Sequence, residues 1–314
     1  MTDTSIGALQ QRARGCLLGL AVGDALGTTL EFQMPGSFDP IDDMVGGGPF
    51  RLKPGEWTDD TSMALCLAES LIECGFDPID QLQRYVRWRD HGYMSVTGRC
   101  FDIGRTVNSA LEAFVDLGVP EPPTHANSAG NGSIMRLAPV AIWDSRGHAG
   151  TLVEHAAQSS ATTHGATEAV DGCRYLALLL AGLIRGEDKY SLLSADYWTR
   201  SVPDATPLAP GIASIAAGSF AMRMPPEIRG SGYVVHSLEA ALWAFARTNT
   251  FRDGALLAVN LGEDADTTGA VYGQLAGACY GVSGIPDTWL KRLAWTDRIE
   301  MLAHRLLNAA SRAE

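Results

Sequence analysis

Runs in which Ala, Leu, Val and Gly return every three or four residues dominate the chain, and short Pro/Gly stretches punctuate them. Alternating β-branched segments are almost absent. Apolar residues recurring at i, i+3, i+4 and i+7 share one helix face, so the pattern predicts an all-α protein. Helices are expected over residues 9–26, 61–74, 79–89, 103–117, 166–184, 237–247, 252–261, 267–280 and 287–307, the last broken near Thr296. Two of them carry glycines at four-residue spacing: Gly19, Gly23 and Gly27 in the first, Gly269, Gly273 and Gly277 near the end. Each costs about 1 kcal/mol against alanine inside a helix. Close packing of two backbones repays that cost, so these two helices should be central and in near contact. No Ser/Gly linker, charge block, repeat or low-complexity tract interrupts the pattern, which predicts one compact domain over residues 1–314.

Composition narrows the class. With 314 residues, 46% of them hydrophobic, the chain can bury a substantial core. A formal net charge of −12 and a pI near 5.0 disfavour nucleic acid and anionic membrane surfaces, both of which attract basic patches. The longest apolar stretch, residues 175–184, is too short to cross a bilayer. The N-terminus lacks the basic-then-apolar order of a signal peptide. Cys16, Cys66, Cys74, Cys100, Cys173 and Cys279 show no CxxC and read as reduced thiols. A cytoplasmic protein without integral membrane contact is expected.

Candidate chemistry sits in two acidic clusters far apart in the chain, Trp57-Thr58-Asp59-Asp60-Thr61 and Glu263-Asp264-Ala265-Asp266-Thr267-Thr268, each preceding an apolar helical run. Asp and Thr accept the free N–H groups of a first helical turn, so both clusters read as helix starts. A cap needs one oxygen, and these offer several. If the clusters meet, carboxylates about 4 Å apart repel by roughly 4 kcal/mol at an effective dielectric near 20, which intervening cations would relieve. Oxygen ligands without Cys or paired His favour a hard cation such as Mg²⁺ or Mn²⁺ over zinc. Two glycine loops, residues 46–49 and 128–133, can turn N–H groups towards an anion or can be plain turns. Neither is a Walker A loop, and no GxGxxG is present.

Read together, the segments Gly15-Cys16-Leu17-Leu18-Gly19 through Gly23-Asp24-Ala25-Leu26-Gly27, Glu31, Trp57-Thr58-Asp59-Asp60-Thr61-Ser62-Met63, Phe101-Asp102-Ile103-Gly104, Gly130-Asn131-Gly132-Ser133-Ile134-Met135-Arg136, Thr162-Thr163-His164-Gly165 and the stretch 262–270 resemble, in this order, the ADP-ribosylglycohydrolase family. The likeness runs from about residue 13 to 307, and Arg229-Gly230-Ser231-Gly232-Tyr233-Val234-Val235-His236 points to the bacterial branch that reactivates dinitrogenase reductase. This resemblance implies a compact helical fold with a binuclear cleft holding two divalent cations, Mg²⁺ or Mn²⁺. It also implies hydrolysis of the N-glycosidic bond between ADP-ribose and arginine on a modified protein, with dinitrogenase reductase as one candidate. ADP-ribosyl-serine, a small ADP-ribose ester and non-catalytic ADP-ribose binding are the alternatives.

By the same resemblance Thr58, Asp59 and Asp60 match one half of the metal site, and Asp264, Asp266 and Thr267 the other. Glu31 matches the acid of a mobile lid. Asp102 matches a catalytic acid/base, although by local sequence it reads as an N-cap for a helix starting near Ile103, and Asp59 and Asp60 count as catalytic as well as metal-holding. Gly130, Asn131, Gly132 and Ser133 match the loop that cradles the diphosphate and distal ribose, through backbone N–H groups and a hydroxyl. His164 matches a pocket position or is a hydrogen-bonded structural residue. Tyr233 is a ring for stacking on guanidinium or a core residue. Glu263 reads as an accessory or structural acid. Direct attack by water at the anomeric carbon and ribose ring opening both remain open.

Overall fold

The helical periodicity is realised throughout residues 5–309, the part of the chain that the computed structural model describes. Helix α1 covers Ile6–Gly27, α2 Asp59–Cys74, α3 Pro78–His91, α4 Arg105–Leu117, α5 Ala138–Trp143 and α6 Ala149–Ser160. They are followed by α7 Thr167–Arg185, α8 Lys189–Leu192, α9 Tyr197–Ser201, α10 Pro210–Ala216 and α11 Ser219–Met222. The chain then forms α12 Val234–Arg247, α13 Phe251–Val259, α14 Ala265–Tyr280, α15 Asp287–Arg292 and α16 Thr296–Ala309. All nine predicted segments are helical, and the last breaks between α15 and α16 as expected. Pattern reading passed over α6, whose buried face is Leu152, Val153, Ala156, Ser159 and Ser160. Two serines on the inward side blur the apolar stripe that would mark it.

Local chemistry explains the boundaries. Asp77 Oδ1 accepts from the N–H groups of Ile79 at 2.9 Å and Asp80 at 3.3 Å, Pro78 opens the first turn of α3, and Gly92 closes it in the left-handed region. Extended pairing among the described residues is limited to isolated bridges, Gly47 with Leu52 and Gly130 with Tyr233. The first makes the 46–49 loop a tight turn. The second fastens the 128–133 loop to the segment before α12.

At the centre lie α1 and α14, running antiparallel. Almost every residue of α1 from Gly15 onward and of α14 up to Ala278 is buried, so both helices are enclosed on all sides. Between them nothing but backbone fits. A methyl group on Gly19 would run into the carbonyl of Gly273, on Gly23 into that of Gly269, and on Gly277 into that of Gly15. The glycine period read from the sequence is therefore the register of this contact. A continuous apolar cluster surrounds it, from Ala13 at one end of the chain to Leu307 at the other.

Gly7 and Gly23 occupy the same helix in opposite circumstances. Around Gly7 the nearest atom to an added methyl is Ser5 Oγ at 4.0 Å, whereas Gly23 faces unyielding backbone. Gly7→Ala should stabilise the protein by up to about 1 kcal/mol, and Gly23→Ala should destabilise it by about 3 kcal/mol or more. Thermal unfolding reads both signs, and a Gly23→Ala protein melting with the wild type would show that the helices do not touch as described.

Candidate active site

The site grows out of the glycine contact. Asp24, one turn before the end of α1 and fully buried, bonds to the start of α2 through both carboxylate oxygens. Oδ1 accepts from the N–H of Thr58 at 2.8 Å and its hydroxyl at 2.9 Å. Oδ2 accepts from the N–H of Thr61 at 3.0 Å and its hydroxyl at 2.6 Å. An α1 side chain thus does the capping of α2, and Thr58, although it occupies the N-cap position, makes no side-chain cap bond. The same substitution occurs at α14. Asp264 holds the N-cap position without capping, and Glu31 Oε2 takes the N–H groups of Ala265 at 2.9 Å and Asp266 at 3.4 Å. Both acidic clusters do mark helix starts, yet acids from elsewhere cap those starts and leave most of the clusters' own oxygens facing one another.

Three overlapping carboxylate groups result: Asp24, Asp60 and Asp266; Glu31, Asp264 and Asp266; Asp59, Asp102 and Asp266, with ligand atoms in each within 4.8 Å. Acceptors outnumber donors. The Thr58 hydroxyl lies 2.9 Å from Asp24, 3.2 Å from Asp60 Oδ2 and 3.1 Å from Asp266 Oδ2, and has one proton for the three. Asp60 Oδ1 is buried with no partner at all. Such a set fits hard cations, because oxygen donors without protons are what Mg²⁺ or Mn²⁺ takes.

Burial raises the whole set, and mutual repulsion adds to it for the acids other than Asp24. Asp24 moves to about 6, held there against burial by its bonds to Thr61 and Thr58. Asp102 rises to about 7, chiefly through burial, with Asp264 adding repulsion. Asp264 and Asp266 likewise reach about 7, burial leading and neighbouring carboxylates next. Burial, then Asp102 for Asp59 and Asp266 for Asp60, puts those two well above the usual carboxylate range. Glu31 is raised for the same reasons, burial first and Asp266 second.

The carboxylates form one end of a cavity of about 970 Å³. Gly130, Asn131 and Gly132 make its side wall, with His164 behind them. The loop is stitched in place: the N–H of Asn131 donates to Gly232 O at 3.1 Å, that of Val234 to Ala129 O at 3.1 Å, and that of Asp264 to Gly230 O at 2.7 Å. Asn131 Nδ2 donates to Asp264 Oδ2 at 3.0 Å, linking the loop to the acids. Gly130 N–H is spent on Ser128 O and Asn131 N–H on Gly232 O, so of the three loop residues that line the cavity Gly132 is the one whose N–H is not committed to these bonds. His164 is buried, with Nδ1 2.9 Å from the Thr163 hydroxyl. Burial, with Arg136 second, lowers it to about 3, so it is neutral. A methyl group on Gly132 would come within 2.8 Å of its Cε1.

Several expectations change. Asp102 does not cap a helix: α4 starts at Arg105 after Gly104, and Asp102 sits ahead of it with φ 62°. Its carboxylate approaches those of Asp59 and Asp266. The Ser133 hydroxyl accepts from Ser160 Oγ at 3.0 Å and turns into the core, away from the cavity, so it is not the hydroxyl of an anion cradle. Tyr233 is neither free nor core: half-buried on the cavity wall, it donates its hydroxyl to Glu168. Glu263 pairs with Arg229, Nε to Oε1 at 2.9 Å, and stays out of the carboxylate groups. Thr267 and Glu31 do line the cavity. Sequence reading assigned no role to Asp24 or Glu168. For Asp24 the signal was present, an acid inside the otherwise apolar run Ala21-Val22-Gly23-Asp24-Ala25-Leu26. For Glu168 no local signal existed.

Comparison with known proteins agrees with this architecture. Residues 6–314 match the model of the ADP-ribosylglycohydrolase family. ADP-ribosylarginine hydrolase Tri1 of Pseudomonas putida (strain GB-1) is 48% identical over 305 residues, covering 96% of this chain and 80% of that protein. The ADP-ribosyl-[dinitrogen reductase] glycohydrolase of Rhodospirillum rubrum is 34% identical over 299 residues, covering 93% and 92%. A solved structure described as an ADP-ribosylglycohydrolase-related protein complex superposes with a TM-score of 0.84 at 44% identity, over 97% of this chain and 100% of that one.

The raised carboxyls make stability depend on pH and on metal together. Asp264 and Asp266 titrate near 7 in the fold against 3.8 ordinarily. Between about pH 4 and 7 the native chain therefore holds more protons than the unfolded one, and metal-free stability falls as pH rises through that window. A cation competes with those protons. Added Mg²⁺ or Mn²⁺ should raise Tm little at about pH 5 and most at about pH 8. Calorimetric melts with and without chelator check this, and equal shifts at both pH values would contradict it.

Proposed function

We propose, from the fact that the chain belongs to the ADP-ribosylglycohydrolase family, that it is a metal-dependent hydrolase removing ADP-ribose from arginine on a modified protein. It restores the arginine and releases ADP-ribose, and residues 1–314 act as one domain. The observation that carries the reading is the acceptor-rich constellation at the end of the cavity, where Asp60 Oδ1 has no partner and one threonine proton faces three carboxylates. The greater identity to an ADP-ribosylarginine hydrolase than to the dinitrogen reductase enzyme supports arginine as the attachment site. Dinitrogenase reductase stays one candidate target, by the likeness to the Rhodospirillum rubrum enzyme. The six free thiols, and the absence among the described residues of any helix long and apolar enough to cross a membrane, support action in the cytoplasm.

Thr58, Asp59, Asp60, Asp264, Asp266 and Thr267 would hold two divalent cations, Mg²⁺ or Mn²⁺. When bound, such cations supply charge neutralisation and Lewis-acid polarisation of ribose oxygens. Everything else falls to the chain. Asp24 and Glu31 fix the two helix starts and so aim the ligand oxygens. Gly130, Asn131 and Gly132 seat the diphosphate and distal ribose, with neutral His164 as the rigid floor beneath them.

Asp102 acts in proton transfer. Burial raises the Asp102 carboxyl above the usual carboxylate range, which suits a group that gives and takes back a proton. As the bond from the anomeric carbon to the arginine nitrogen breaks, the electron pair stays on nitrogen, and the Asp102 proton satisfies it. Water supplies oxygen to the anomeric carbon and gives its own proton back to the carboxylate, which balances the reaction.

Purified protein with Mg²⁺ or Mn²⁺ should hydrolyse ADP-ribosyl-arginine in preference to ADP-ribosyl-serine, an ADP-ribose ester and ADP-ribosylated nucleic acid. Asp60→Ala and Asp266→Ala should lose metal and activity together. Asp102→Asn should keep metal and ADP-ribose binding while kcat falls roughly 10²- to 10⁴-fold. Full turnover by protein shown to be metal-free would falsify the reading, and an unchanged Asp102→Asn rate would remove that residue from the chemistry.

A further inference from the structure

Three phenylalanines outside the core form a row at the carboxylate end of the cavity. Phe32 lines the cavity and is 63% exposed. Its ring centroid lies 6.3 Å from that of Phe50, which lies 5.2 Å from that of Phe101. Phe50 and Phe101 are half-buried and do not line the cavity, so the row runs outward from its edge. Both ends adjoin acids of the site. Phe32 follows Glu31, whose carboxylate groups with those of Asp264 and Asp266, and Phe101 precedes Asp102, whose carboxylate groups with those of Asp59 and Asp266.

The backbone presents these rings at a cost. Phe32 has φ 62°, Arg51 after Phe50 has φ 55° and Asp102 after Phe101 has φ 62°, a left-handed region that is uncommon outside glycine. Such strain persists where neighbours over-determine it, and it gathers at functional sites. Neighbours do so here. Phe32 N–H donates to Glu263 O at 2.7 Å, Phe50 sits in the turn that the Gly47–Leu52 bridge closes, and the Thr29 hydroxyl donates to Gly46 O at 3.0 Å. The glycine turn at residues 46–49, which does not line the cavity, thereby carries a ring.

In the reading of the preceding subsection the diphosphate lies at the glycine wall and the bond to be cut lies at the carboxylates. The arginine and the polypeptide that bears it then extend past the carboxylate end, where the rings are. Their chemistry matches, because an arginine stem is apolar and its cationic head is drawn to a ring face. Arg87 sits over Tyr93 in this way within the protein itself, 3.8 Å from the ring centroid. A second copy of this chain would bring a net charge of −12 against the same acids.

We propose that Phe32, Phe50 and Phe101 form the surface on which the target protein docks, Phe32 against the modified arginine and the other two against the polypeptide that flanks it. This rests on the reading of the substrate as an arginine-modified protein and adds the surface that recognises it. Each ligand reaches a different distance along the row, so the effects of ring removal are graded.

The test compares wild type with Phe32→Ala, Phe50→Ala and Phe32→Tyr on an arginine-ADP-ribosylated protein and on free ADP-ribosyl-arginine, with calorimetry on ADP-ribose and thermal melts alongside. Phe32→Ala should raise KM about 10-fold on both substrates, and Phe50→Ala about 10-fold on the modified protein only, each with kcat within about threefold. Free ADP-ribose should bind every variant as it binds wild type, and Phe32→Tyr, which keeps the ring, should match wild type throughout. Phe32 is exposed, so Phe32→Ala should melt with the wild type. An active wild type with unchanged KM for the protein in either alanine variant, or an equal defect of Phe32→Ala towards free ADP-ribose, overturns this proposal alone. So does a wild-type dimer that Phe32→Ala dissociates at constant KM, which would assign the rings to a second copy. A wild type inert towards both arginine substrates overturns the arginine reading and this proposal with it.

Discussion

Backbone against backbone, with no side chain between, is the contact on which this protein depends. Gly15, Gly19, Gly23 and Gly27 on α1 face Gly277, Gly273, Gly269 and the Ala265 carbonyl on α14. Asp24 lies in the middle of that series, and Asp266 begins the facing helix. Their carboxylates reach one another and Asp60 only because the two axes are that close. A methyl at one of these glycines would push apart the two halves of the site as well as the two helices. Packing and chemistry share one constraint.

The site sits within that core as a local electrostatic conflict. Asp24, Glu31, Asp59, Asp60, Asp102, Asp264 and Asp266 crowd together, and desolvation is the first cause of every upward shift among them. An apolar cluster running almost the length of the chain offsets such a cost. Charge that the fold alone leaves unsatisfied is charge that cations could neutralise.

The cavity divides its labour by charge. One end gathers acceptors suited to metal, the glycine wall offers backbone donors and neutral His164, and Glu168 with Tyr233 provides an isolated acid on a ring. Were an anion met at the glycine wall by N–H groups, as proposed, an overall charge of −12 would need no basic patch.

What the sequence by itself determined is whatever short-range physics dictates. Apolar periodicity located the long helices, four-residue glycine spacing announced the central contact, and clustered Asp and Thr marked the starts of α2 and α14, because periodicity and capping act within a turn or two. It did not tell which oxygens would be spent there. Asp24 and Glu31 took over the capping from 34 and 234 residues away, and that freed Thr58 and Asp264. Asp102 joined the acids instead of opening α4, and Ser133 turned towards Ser160, 27 residues on. Glu168 met Tyr233 across 65 residues. A hydrogen-bond partner at such separations is chosen by how the helices pack, and no local pattern encodes it, so the tertiary structure alone decided which of the legible residues face one another.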